Sequence, residues 1–172
     1  GAEGVVIGSL NADGTLNTEQ MQEMMEAAGS CAVTMHRAFD VCADPFEALK
    51  KSAELGVDTI LTSGQEADCL AGCGLLKKLV QLTDQSRSDS RRVTILAGAG
   101  VTSVNIAEIA KKTGVRAFHM SGKRLLESGM RYRNERVHMG LGSLSEFECY
   151  RTDEAEIRRA AEILRTLGED GR

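Results

Sequence analysis

Residues 31–45 read CAVTMHRAFDVCADP, and the fold follows from how this stretch changes character along its length. Residues 31–35 are a short, mostly apolar run of the kind that parallel sheets bury on both faces. His36, Arg37 and Asp40 come next: a switchable base, a fixed cation and a carboxylate within one short segment. Asp44-Pro45 then starts a helix, with Asp as N-cap and Pro at the first helical position. Strand, polar strand end, loop and helix form the unit that places functional groups at the carboxyl edge of a parallel sheet.

The same unit recurs on both sides. Residues 4–10 (GVVIGSL) form an apolar strand followed by a turn at Asn11-Ala12-Asp13-Gly14. Asn17 caps the helix TEQMQEMMEAA, with Gln20 at capping-box spacing and Gly29 as its stop. Beyond the central stretch, the helix PFEALKKSAEL ends at Gly56, and a strand over 59–61 ends in Thr62-Ser63-Gly64. A helix is expected over 70–82 and a polar, exposed loop over 83–92. The strand 93–97 ends in Gly98-Ala99-Gly100, and a helix over 103–113 closes at Gly114. The strand 117–120 ends in Ser121-Gly122-Lys123-Arg124, and 125–149 reads as irregular. Asp153 and Glu156 then open a last amphipathic helix to about residue 167.

Five strands alternating with helices imply a parallel sheet with right-handed crossovers. Two architectures fit, an open doubly wound sheet and part of a (β/α)8 TIM barrel. Nearly every strand ends in small or functional residues, as when all loops converge on one mouth, and the last two carry glycine-rich ends where barrels commonly bind phosphate. Both features favour the barrel. A closed barrel has eight strands, so about three are expected to lie outside this sequence. The start at Gly1, without Met and almost directly into a strand, gives the same expectation of a fragment. Residues 1–172 are read as a single domain, the C-terminal part of a TIM barrel with about five βα units.

Composition narrows the class. Hydrophobic residues make up 42% and charged residues 27% of the 172, ordinary for a globular protein. The net charge of -4 and the scattered basic residues argue against a nucleic acid or a membrane surface as partner. Five cysteines, an odd number mostly in apolar contexts, point to a reduced, cytoplasmic protein.

The chemistry-bearing residues cluster at strand ends. His36, Arg37 and Asp40 are the catalytic candidates: a cation and an imidazole that hold an anionic substrate, with His36 as acid or base. The structural alternative is an internal ion pair between Arg37 and Asp40. His119 and Ser121 share one face by alternation, opposite Phe118 and Met120, and this face is the lumen if the apolar pair meets the helices. Gly98, Gly100 and Gly122 allow backbone N–H groups to approach an anion beside a helix N-terminus, although tight βα turns need glycine regardless. Ser63 completes the ligand-binding set. Lys123 and Arg124 either supplement it or are solvated.

Five motifs, AVTMHRAFD (32–40), LTSGQ (61–65), ILAGAGV (95–101), FHMSG (118–122) and MRYRN (130–134), resemble the CutC family over essentially the whole length. The resemblance implies a TIM barrel in which GVVIGSL is the fourth strand. It also implies a cytoplasmic copper-homeostasis role, with copper as the bound ion and a dimer or tetramer as the assembly. The family's early cysteine-bearing strands, to which copper binding is assigned in some members, are absent from this sequence. Soft donors that remain are Cys69 and Cys73, Met21, Met24 and Met25, and Met35, none in a CxxC or methionine-rich pattern; the metal ligands are left unassigned. MRYRN reads as a substrate clamp, a subunit contact or a loop packed under the barrel. The residues by themselves point to a second function, an enzyme or binding protein for a small anionic, perhaps phosphorylated metabolite.

Overall fold

A computed structural model describes residues 1–85, 92–137, 145 and 147–169. Five parallel strands, β1 (Gly4–Ile7), β2 (Ala32–Met35), β3 (Thr59–Thr62), β4 (Thr94–Gly98) and β5 (Ala117–His119), lie side by side in chain order. The connections are α1 (Thr18–Ala28), α2 (Pro45–Leu55), α3 (Cys73–Gln85) and α4 (Ile106–Thr113). A strand order identical to the chain order is the winding of a barrel, whereas a doubly wound sheet reverses direction part-way. The protein is α/β, with a five-stranded parallel sheet of TIM-barrel winding.

Alternation assigns the faces. Val33, Met35, Ile60, Ile95 and Ala97 are buried and meet Met21, Leu49, Leu76, Leu79, Ile106 and Ile109 from the helices in one core. The other face carries Thr34, Leu61 and Leu96, half-buried, and Val6, 63% exposed. Helix starts follow the sequence where a short polar side chain caps them. Asn17 Oδ1 accepts from Gln20 N at 3.0 Å, and Asp44 Oδ1 accepts from the N–H groups of Phe46 and Glu47 at 2.9 and 3.1 Å.

Four expectations are corrected. The third helix begins at Cys73 rather than at residue 70, because Asp68 Oδ1 takes the N–H groups of Leu70 and Ala71 and spends those residues in a turn. Similarly, Asn105 accepts from Thr102 N and donates to Gly100 O, so α4 begins at Ile106 and not at residue 103. The stretch 125–149 is not irregular at its ends: β6 (Lys123–Glu127) pairs antiparallel with β7 (Glu148–Thr152), and α5 (Glu154–Glu169) follows. Of the expected loop at 83–92, Thr83 is buried in the last turn of α3, where its Oγ1 donates to Val80 O, and 86–91 lie outside the described residues. Among the described residues no helix is long and apolar enough to cross a membrane.

Candidate functional site at the carboxyl edge of the sheet

After β2 the chain makes a 3-10 turn, Arg37–Val41, capped by the His36 side chain. That turn buries Asp40 against the end of β3. Its carboxylate accepts from Thr62 Oγ1 at 2.5 Å, Arg37 Nε at 2.6 Å, Ser63 N at 3.0 Å and Gln65 N at 3.2 Å. Burial would raise the Asp40 pKa, but the hydrogen bonds from Thr62, Arg37, Ser63 and Gln65 outweigh it and hold the carboxyl below the usual aspartate range. Arg37 Nη2 also donates to Ser63 Oγ at 2.9 Å, and that hydroxyl donates onward to Glu66 O. Ser63 is therefore buried and fully engaged. The chain closes tightly here: Gln65 is held at φ 60, and a methyl on Gly72 would lie 1.8 Å from Ser63 O.

The ends of β4 and β5 are more open. A cavity of about 700 Å³ is lined there by Ala99–Val101, His119–Arg124 and Arg37, with Leu61, Val104 and Met120 as apolar wall and Asp153, Glu156 and Arg159 from the start of α5. His119 pairs in register with Gly98 on the face opposite Phe118, which packs on the core. The far wall is fixed by Glu156, which accepts from Ser103 N at 2.6 Å, Ser103 Oγ at 2.8 Å and Arg159 Nη2 at 2.9 Å. These bonds, the Ser103 N–H first, lower its pKa. Arg37 keeps 46% of its side chain exposed despite its ion pair. Lys123 lies over the Tyr150 ring at 4.3 Å, and among the described residues Arg124 has no acidic partner.

The structure thus brings Arg37, Gly100, His119, Ser121 and Gly122 around one cavity. His36, Asp40, Ser63 and Gly98 do not line it. The His36 ring stacks over Gly8, where an added methyl would lie 2.6 Å from Cε1, and its Nδ1 accepts from Ala38 N at 3.1 Å. Gly98 is needed for packing, since a methyl there would meet Leu61 Cδ1 at 2.4 Å. Sequence reasoning missed Ala99, Ser103 and Arg159. Ala99, at φ 87 between two glycines, had a local signal; Ser103 and Glu156, 53 residues apart, had none. MRYRN lies on the arm after β6, where Met130 and Tyr132 are 62% and 74% exposed.

Residues 1–124 match the model of the CutC family. The chain belongs to the CutC family. It is 47% identical over 165 residues to the family protein CutC of Bacteroides fragilis, covering 95% of this chain and 63% of that one. To CutC of Parabacteroides distasonis it is 44% identical over 156 residues, 90% of this chain and 62% of the relative. A crystal structure of CutC from Streptococcus agalactiae, named for copper homeostasis, matches with a TM-score of 0.61 at 26% identity, over 68% of this chain and 55% of that one. This CutC chain therefore spans less than two thirds of the length of the relatives it matches.

Copper(I) takes thiolate, thioether and imidazole ligands, and the described residues do not fit it. Among them no three His, Cys, Asp or Glu side chains gather. Cys69 is buried with its thiol donating to Gly98 O at 2.8 Å, and burial first, then the Asp40 charge, pushes its pKa up to about 12. Burial also raises the Cys73 pKa, and its thiol turns to Cys69 O at 3.4 Å. Two protonated thiols bonded to carbonyls are not a thiolate pair. Met21 and Met35 are fully buried in the core, and Met24 and Met25 pack against it.

Proposed function

We propose that this part of CutC binds a small anionic metabolite, a phosphate ester or carboxylate, at the cavity between the ends of β4 and β5 and the start of α5. The observation that carries this reading is the convergence of Arg37, Lys123, Arg124 and Arg159 on one cavity beside the Ala99–Val101 loop. Arg37, fixed from behind by Asp40, presents the rest of its guanidinium as a clamp. Lys123 and Arg124 add charge, and the backbone at Ala99, Gly100 and Gly122 gives close approach. His119 is the side chain positioned to move a proton; His36 supports the mouth through its cap on the 3-10 turn. In this reading residues 1–172 serve the site as a single domain, the C-terminal part of a TIM barrel, in a reduced, cytoplasmic setting.

The copper-homeostasis name of the Streptococcus agalactiae relative favours a second reading, in which CutC handles copper itself. Two titrations separate them. Calorimetry with phenyl phosphate should show binding that weakens about tenfold in Arg124→Ala, the loss of one charge-assisted contact. In parallel, Cu(I) held by a chromogenic chelator should stay with the chelator when the chain is added. Unchanged phosphate affinity in Arg124→Ala would remove the anion reading, and stoichiometric capture of Cu(I), lost in His36→Ala, would establish the second.

A further inference from the structure

The cations that border the cavity stand at two opposite ends of it. Arg37 is pinned at one end. Its Nε donates to Asp40 and its Nη2 to Ser63 Oγ at 2.9 Å, which sets the guanidinium over the end of β3. A guanidinium has five N–H donors, and these bonds leave Nη1 and one hydrogen of Nη2 without a partner among the described residues. Lys123, Arg124 and Arg159 stand at the other end, past β5 and at the start of α5. There Arg124 has no acidic partner among the described residues, and Asp153 N donates to Gly122 O at 2.8 Å, which fixes α5 against the turn. One strand, β4, separates β3 from β5, so the two ends are two strand spacings apart, about 10 Å.

The floor between the ends carries no fixed charge. Leu61 reaches across Gly98 into the space that a methyl there would take, with His119 Cβ beside it. Hydrogen bonds reach about 3 Å, so a single phosphate or carboxylate fills one end only. Resting on the anion-binding reading of this cavity, we infer that its ligand is a phosphate ester with a second anionic group at the far end of a short carbon chain. The phosphate lies at the β5 end, where Arg124 and the backbone at Gly100 and Gly122 converge. The second anion meets Nη1 and Nη2 of Arg37, whose planar fork suits a carboxylate or a phosphate equally. Joining the two anions makes the second contact intramolecular, and it adds affinity only when the chain matches the span. His119 then lies beside the middle of the ligand, between the two charged ends.

Calorimetry on the 172-residue chain tests this with pentyl phosphate, with pentanediol bisphosphate bearing a phosphate on each end, and with methylenebisphosphonate, whose two anions share one carbon. Pentanediol bisphosphate should bind about tenfold or more tighter than pentyl phosphate, and methylenebisphosphonate should show no such gain. Arg37→Gln, shown to be folded by circular dichroism, should cut the gain to about twofold, the advantage of two equivalent ends. If that variant does not fold, the contrast between the long and the short probe on the wild type decides. Pentyl phosphate binding that depends on Arg124, with no gain for the long probe, overturns the two-anion ligand and leaves the anion site standing. No binding of any probe overturns both. Equal affinity for methylenebisphosphonate would mean that charge and not span is recognised, and a gain untouched by Arg37→Gln that the second anion lies elsewhere; either result overturns the proposal.

Discussion

The loops after β2 and β3 and those after β4 and β5 leave the same sheet edge, yet they are built oppositely. In the first pair, one carboxylate gathers donors from Arg37, Thr62, Ser63 and Gln65, and two glycines bring backbone against backbone. In the second, Arg37, Lys123 and Arg159 meet Asp40, the Tyr150 ring and Glu156, while Arg124 has no acidic partner among the described residues, and all four border an open cavity. A polar cluster closed on itself fixes geometry, whereas polar groups bordering an open cavity keep capacity for further bonds. The difference teaches that the three catalytic candidates His36, Arg37 and Asp40 form the frame, and that their one contribution to the open side is Arg37.

The sharpest way to break this contrast is Gly72→Ala. The new methyl would lie 1.8 Å from Ser63 O, with backbone on both sides and nothing free to yield. Urea unfolding should show a loss of about 4 kcal/mol or no folded protein at all; a wild-type midpoint would mean that the frame is not rigid. Asp40→Ala comes next, at about 3 kcal/mol, because it leaves several buried donors unpaired, whereas Arg124→Ala at the open wall should change stability by no more than about 0.5 kcal/mol. The sign in pH follows from the lowered folded pKa of Asp40. As pH falls, the unfolded chain takes up this proton first, so the contribution is complete above about pH 4 and is lost as pH drops through the folded value. Acid titration of the Asp40→Ala variant should therefore show a shallower loss below about pH 4, and an identical slope would assign the acid sensitivity elsewhere. A smaller effect than that of Asp40→Ala, and of opposite sign, belongs to Ala99→Gly, which relieves φ 87 at the open wall and should raise stability by up to about 1 kcal/mol. A decrease would show that the loop carries no strain.

The barrel winding was legible because each strand is a short apolar run closed by a cap or a glycine, and those signals are local. Helix starts failed where a side chain diverted the first residues, as Asp68 does ahead of α3 and Asn105 ahead of α4. The hairpin was missed for a different reason. KRLLE and ECYRT show no clean alternation of apolar and polar residues and carry a single β-branched residue, Thr152, so the period that marks a strand is absent. At the site, Arg37, His119 and the glycines were legible as polar or permissive residues at strand ends. The closing of Asp40 and Ser63 into a frame was visible only as the Arg37–Asp40 alternative, since Thr62 and Gln65 become its partners through the pairing of β2 with β3.

The link from Ser103 to Glu156 also has a meaning in time. Each parallel strand pairs with its immediate predecessor, so a chain emerging from the ribosome can add one strand and helix after another by local closure. Glu156 comes 53 residues after Ser103 and reaches it only when that later stretch has also been made. During synthesis the sheet and its rigid frame are thus complete well before the far wall of the cavity, and the protein acquires a stable body before it acquires a place to hold anything.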